Sequence, residues 1–199
     1  MNLCTLNQLK TRLDISDAGS DGLLGGIITG VSGQLQGAGG CGRQLGLQAD
    51  RVELISVSGS RMASVWASIY PIVSISEIKE ALYGAYDDAD ALTVNEDYQF
   101  VAATGELRRI GSWLAGIETI RITYTAGYAA PGDELGAGET ALPDEIVEAA
   151  IQQAAFTYQK RDKLGLTALG SQGGSASGYA ADKILAGPKI TMQGYRRFA

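Results

Sequence analysis

Two short patterns in the sequence have the form of a cofactor site or a catalytic site. Gly37 to Gly42 fits G-x-G-x-x-G, which binds a pyrophosphate where it follows a strand and opens a helix. Here the pattern follows a predicted helix and precedes polar residues, so we assign no nucleotide site. Ser76 and Lys79 have the S-x-x-K spacing of penicillin-recognising enzymes, but the sequence lacks the S-D-N and K-T-G elements that those enzymes require. We therefore predict no catalytic residue and no cofactor.

The residue types that most often carry chemistry are scarce. The chain contains no histidine and two cysteines, Cys4 and Cys41. Two cysteines without histidine cannot complete a four-ligand zinc site, and no histidine is available to activate Cys41 as a nucleophile. Nothing at the N-terminus has the pattern of a secretory signal, so we expect reduced thiols and assembly in the cytoplasm.

Carboxylates cluster between residues 87 and 97. Asp87, Asp88 and Asp90 are close in sequence, and Glu96 and Asp97 follow them. A hard cation needs several oxygen ligands at fixed spacing, and this pattern does not complete a calcium-binding loop. We predict a solvated acidic face and no metal site. A small divalent-cation-dependent enzyme or ligand-binding domain that uses these acidic loops is kept as the alternative function.

The net charge of −6 is unevenly distributed along the chain. Residues 1–158 carry 9 basic and 20 acidic residues, whereas residues 159–199 carry 7 basic and 2 acidic residues. A strongly acidic body argues against wrapping nucleic acid. A basic tail on an acidic body indicates instead that the tail docks on a neighbour.

Hydrophobic spacing divides the chain into helical and strand-like parts. Apolar residues recur at helical spacing over 5–13, 21–36 and 143–163, and Thr5 and Gln8 have the spacing of a capping box. From about 51 to 125 the period changes to two, which is typical of antiparallel strands and hairpins. We predict an α+β fold: a small bundle of three main helices with an inserted antiparallel β region and an extended C-terminal arm.

The predicted helix over 21–36 has one face made of glycine. No charged residue occurs between Gly22 and Gly42. The apolar part is nevertheless shorter than the roughly 20 residues that a membrane span needs. We predict a helix outside the membrane whose glycines let it pack closely against its neighbours.

The chain after the last long helix is predicted to be a linker followed by a docking arm. We divide the sequence into a domain over 1–164, a flexible Gly/Ser linker over 165–178 and an arm over 179–199. Tyrosine and arginine often dominate interface energies, and the 189–193 segment is predicted to add as a strand to a partner's sheet edge. The alternative is that the arm folds back on its own body. The predicted partner-binding residues are Ile190, Met192, Tyr195, Arg196, Arg197 and Phe198.

The order of these parts resembles the head–tail connector (adaptor) proteins of tailed bacteriophages. The most specific segment is Tyr124 to Tyr128, Tyr-Thr-Ala-Gly-Tyr, which precedes the helix opened by Leu142 to Ile146 and ended by Tyr158 to Arg161. The segment from Leu92 to Tyr98 looks like the strand region of the longer family members. The resemblance covers roughly residues 3 to 163.

The resemblance implies a structural virion protein without a catalytic site. Adaptors form a ring, usually of twelve subunits, beneath the portal protein at the virion neck, and the phage assembles in the host cytoplasm. The ring extends the channel for double-stranded DNA and receives a stopper or tail-completion protein. Because DNA must slide past without binding, we expect an acidic channel surface. The candidate lining residues are Asp87, Asp88, Asp90, Asp133, Glu134 and Glu139.

Overall fold

The computed structural model describes residues 1–161 and 184–196, which divide into two compact units. The helical unit contains Met1–Arg43, Ala130–Gly132 and the described residues from Leu142 onward, and the β unit contains Gln44–Ala129 and Asp133–Ala141. The predicted α+β class is confirmed. The predicted linker over 165–178 lies outside the described residues. None of the described helices is long and apolar enough to cross a membrane.

The helical unit contains four described helices, not the three that the sequence predicted. These are α1 (Leu6–Leu13), α2 (Asp21–Gln36), α3 (Asp144–Lys160) and α4 (Ala186–Gly194). The three predicted helices correspond closely to α1, α2 and α3. The fourth, α4, lies in the segment that was predicted to be extended, so the prediction of a strand over 189–193 is wrong.

Local sequence signals define the ends of α1 and α3. The predicted capping box is confirmed, because the Gln8 backbone N–H donates to Thr5 Oγ1 at 3.2 Å and the Thr5 N–H donates to Gln8 Oε1 at 2.8 Å. Pro143 is the N-cap of α3, and Asp144 and Glu145 complement the positive end of its dipole. The two helices are also joined by Arg12, which donates to both carboxylate oxygens of Glu148.

The glycine face of α2 does not pack as predicted. A Cβ placed at Gly22, Gly25, Gly26, Gly30 or Gly33 would have no neighbouring atom within 4 Å. The opposite face is buried instead, through Leu24, Ile28, Val31 and Leu35. The glycines therefore lie on the open side of α2, and close packing in this structure does not explain them.

The β unit has two three-stranded antiparallel sheets. The first has the order β1 (Gln48–Val57), β6 (Gly116–Ala126) and β3 (Ile72–Glu80), and the second has β2 (Ser64–Trp66), β5 (Glu106–Arg109) and β4 (Tyr98–Val101). One buried cluster takes residues from both sheets, including Ile122 and Tyr124 of β6 and Leu107 of β5. A short parallel pair, β7 (Tyr128–Ala129) and β8 (Thr140–Ala141), completes the unit.

The packing of the glycines predicts opposite effects for two sets of substitutions. Gly26→Ala and Gly30→Ala each raise the free energy of unfolding by about 1 kcal/mol, because alanine is the better helix former and meets no neighbour. Gly40→Ala lowers it by about 1–3 kcal/mol, because steric overpacking forces the backbone to move. The new Cβ would lie 1.9 Å from the Leu35 carbonyl oxygen.

Urea denaturation followed by circular dichroism measures these differences. The parent chain and the two α2 variants are the controls for the Gly40 variant. A Gly40→Ala protein as stable as the parent would contradict the close backbone approach at this position.

Candidate interaction surfaces

The predicted acidic cluster at residues 87–90 is a tight turn held by its own carboxylates. Asp87 Oδ1 accepts from the Ala89 N–H at 2.7 Å, and Asp90 Oδ2 accepts from the Asp87 N–H at 2.8 Å. These bonds form a capping box around one turn of 3-10 helix. Two of the three candidate channel acids in this turn, Asp87 and Asp90, therefore stabilise the local backbone.

The third acid of the turn, Asp88, is neutralised by a lysine. Lys79 on β3 is buried, and its Nζ lies 2.7 Å from Asp88 Oδ1 and 3.2 Å from Glu77 Oε1. Glu77 also pairs with Arg121 of β6 at 3.0 Å. The Lys79 hydrogen bond lowers the pKa of Asp88, and the Asp88 hydrogen bond in turn raises the pKa of Lys79. Sequence reasoning named Lys79 only as part of the S-x-x-K pattern and missed this ion pair.

The neighbouring acid Asp97 is also paired within the β unit. It accepts from the Thr93 N–H at 2.9 Å and lies 3.1 Å from Arg109 Nη1, and these contacts lower its pKa. Arg109 also bonds Glu80 at 3.2 Å. In the described part of the chain, no three histidine, cysteine, aspartate or glutamate side chains group closely enough to hold a metal ion.

The loop over 133–139 presents its acids differently. Asp133 and Glu134 are exposed, and neither has an ion-pair partner among the described residues. Glu139 is partly buried, and its carboxylate accepts from the Gly136 N–H at 2.9 Å. Within the described part of the chain, the loop therefore offers two negative charges without an ion-pair partner, next to the exposed Leu135.

The predicted partner-binding residues of the C-terminal segment differ in their accessibility. Ile190 is 70% exposed and Arg196 is also exposed, but Met192 is fully buried inside the helical unit. The Tyr195 hydroxyl donates to Glu145 of α3. In this structure Met192 and Tyr195 hold α4 against its own chain, which matches the fold-back alternative for the described part of the arm. Arg197 and Phe198 lie outside the described residues.

The surface that receives α4, here called the α4 seat, consists of α3 and the turn over 37–43. The Leu185 N–H donates to Oε1 of the buried Gln153 at 2.8 Å. On the turn, Arg43 Nε donates to the Tyr195 carbonyl oxygen at 3.1 Å. A Cβ at Gly39 would lie 3.4 Å from Ile184 Cδ1. The turn therefore accommodates the C-terminal segment at close range.

The glycine pattern over 37–42 does not form a phosphate-binding loop. The Gly40 and Gly42 amides donate to the Gly37 carbonyl, and the Cys41 amide donates to the Leu35 carbonyl. A phosphate site needs amides that point outward at the ligand. These amides instead bind backbone carbonyls, which closes the turn.

Both cysteines are buried, as expected of structural thiols. Burial raises the pKa of Cys4 to about 11 and also raises that of Cys41. The Cys41 thiol donates to the Arg43 carbonyl at 3.4 Å. Thiols with raised pKa values are poor nucleophiles near neutral pH.

Comparison with known proteins shows a similarity in fold. No known protein family matches the sequence, and no curated protein matches it. A solved structure of the neck of an empty GTA (gene transfer agent) particle, computed with C6 symmetry, is similar at 16% identity and a TM-score of 0.54. The match covers 99% of this chain and 91% of that chain. A second, the neck of a native GTA particle computed with C12 symmetry, has 16% identity, a TM-score of 0.47 and coverages of 98% and 88%. This chain therefore has the fold of a chain found in the neck of a GTA particle.

The Lys79–Asp88 pair predicts that stability depends on the protonation of Asp88, and that Lys79→Met removes this dependence. Because the folded-state pKa of Asp88 is lowered, its contribution to stability is present above the unfolded value of about 3.9 and is lost as the pH falls through the folded value. In Lys79→Met the Asp88 pKa rises toward its ordinary value. NMR titration of the Asp88 carboxyl measures the change. Lys189→Met, at an exposed lysine, is the control, and an unchanged Asp88 pKa in Lys79→Met would contradict the pairing.

The burial of Met192 predicts that α4 depends on this side chain. Removing a buried methionine side chain costs about 2–5 kcal/mol, so Met192→Ala weakens the docking of α4 on α3. Hydrogen exchange of the 186–194 backbone, read by mass spectrometry, accelerates at least tenfold. Ile190→Ala is the matched control, because its side chain is mostly exposed and its loss leaves the exchange unchanged. Equal protection in both variants would contradict the role of Met192.

Proposed function

We propose that this chain is a structural subunit of the neck of a phage-like particle, where it acts as a head–tail connector. The observation that carries the proposal is the fold likeness to a chain of a GTA particle neck, which extends over nearly the whole of both chains. The order of sequence motifs, which resembles that of phage adaptors, supports the same role independently.

In this role the chain forms a homo-oligomeric ring beneath the portal protein. The ring extends the DNA channel and receives a stopper or tail-completion protein. The C6 symmetry of the similar neck structure supports a cyclic assembly, and the adaptor resemblance favours twelve subunits. The proposed location is the virion neck, after assembly in the host cytoplasm.

The DNA-facing surface is proposed to be acidic. Of the six candidate acids, Asp133 and Glu134 are favoured, because both are exposed and neither is paired among the described residues. Asp88 is less suitable, because Lys79 offsets its charge. Unpaired carboxylates repel phosphate groups, and cationic contacts supply most non-specific affinity for DNA.

The proposal predicts a defined ring. Twelve chains of 20.8 kDa give a particle of about 250 kDa, and six give about 125 kDa. Mass photometry and negative-stain electron microscopy measure the protein alone and mixed with the portal protein of the same particle. The expected result is a cyclic particle under at least one of these conditions, with its mass unchanged by a chelator.

Two results would contradict different parts of the proposed function. A single-chain mass under both conditions, with no portal binding, contradicts the connector role. Tight, salt-sensitive binding of linear duplex DNA by the assembled protein contradicts the acidic channel but leaves the ring in place.

A further inference from the structure

The C-terminal helix α4 packs on elements that lie far from it in the chain. Its start contacts α3 at Gln153 through the Leu185 N–H, and its end contacts α3 at Glu145 through the Tyr195 hydroxyl. Because Gln153 follows Glu145 in sequence, α4 runs antiparallel to α3. Arg43, in the turn after α2, binds the Tyr195 carbonyl. All of these contacts join α4 to residues that are at least 32 positions away in the sequence.

The chain between α3 and α4 is much longer than this docking requires. Between Arg161, which follows α3, and Ile184, which precedes α4, the sequence has 22 residues, 162–183. The direct path from Arg161 back along α3 to Gln153 is about 12 Å at the helical rise. A segment of this length spans up to about 70 Å when fully extended. Covalent connection therefore does not tie α4 to the seat of its own chain.

We propose that α4 is exchanged between neighbouring copies of this chain, so that the α4 of one subunit occupies the α4 seat of the next. The inference rests on the proposed ring, because a ring keeps a second seat close to each α4. The contacts are the same in both arrangements, so exchange loses no buried surface and no hydrogen bond. It adds a link between subunits without requiring a new interface.

The size of the exchanged element favours this arrangement. α4 has nine residues, of which only Pro188 and Met192 are buried. Releasing α4 leaves α1, α2 and α3 in contact with one another. When every subunit gives its helix to the neighbour on the same side, the contacts are head-to-tail and close a ring. A neighbour held at short range also raises the effective concentration of its seat.

A pair of cysteines on different chains tests the exchange directly. A Cβ at Gly187 would lie 3.7 Å from Gln152 Oε1, and both residues are exposed. Full-length chains with Gln152→Cys and full-length chains with Gly187→Cys are co-expressed, assembled and treated with a short bismaleimide. Thiols are then blocked before denaturing electrophoresis. Each single variant alone and the parent chain, whose two cysteines are buried, are the controls.

Exchange predicts covalent heterodimers in the co-expressed assembly, well above the level in either single variant. The double variant Gln152→Cys/Gly187→Cys then gives a ladder of linked chains. Docking of α4 on its own chain gives no heterodimer, and the double variant stays at the mass of one chain. That result overturns the inference.

The particle mass before cross-linking separates this result from that of the proposed function. A ring without heterodimers keeps the connector role and removes the exchange. Heterodimers in a particle that is no ring support the exchange and contradict the connector role.

Discussion

The buried face of α3 is the interaction on which the helical unit depends. Ile146, Ala150 and Ala154 are almost inaccessible, and α1, α2 and α4 all contact this helix. Alanine on a contact face lets helices approach closely, and the helical unit also buries the large side chains of Leu9, Leu24, Leu35 and Ile146 completely. In the sequence, α1 and α2 precede the β unit and α3 follows it. The face of α3 is therefore covered only after the chain has passed through the β unit and returned to the helical unit. For this reason the β unit is an insertion within the helical unit.

Helix positions were predictable where periodicity or a capping motif is present, and not where tertiary contacts decide. The apolar spacing places α2 at its observed bounds although its N-cap, Ser20, makes no side-chain capping bond, and the capping box places α1. α4 was missed because Gly187, Pro188 and Gly194 give it weak intrinsic helix propensity. Its helicity depends on α3 and on burial of Met192, which no local pattern reveals. The prediction that the α2 glycines pack against a neighbour was wrong for the same reason. The sequence does not show which face of a helix contacts the rest of the protein.

The sequence identified the acidic residues of the candidate surfaces, but it could not show which of their charges are paired. Asp87, Asp88 and Asp90 look equivalent in the sequence, yet two of them bind backbone amides and one pairs with Lys79. Lys79 precedes Asp88 by nine residues on a strand, and only the fold of the intervening turn brings the two together. The glycine turn after α2 gives a parallel case. Its pattern matches a nucleotide-binding motif, but its position after a helix argued against a ligand, and the amides of Gly40, Cys41 and Gly42 indeed bind backbone carbonyls. What the sequence did not reveal is that the C-terminal segment packs close to this turn.

Most of the cations in the acidic part of the chain are paired with carboxylates of the same chain. Of the nine basic residues before Lys160, seven form ion pairs with carboxylates of their own unit: Lys10, Arg12, Arg51, Lys79, Arg108, Arg109 and Arg121. Arg43 is engaged by the Tyr195 carbonyl. Few cations in this part of the chain therefore remain available for phosphate groups, while unpaired acids such as Asp133 and Glu134 remain exposed. The C-terminal segment differs, because Lys189 and Arg196 are exposed near the exposed Ile190, so a partner surface there would meet both positive charge and an apolar contact.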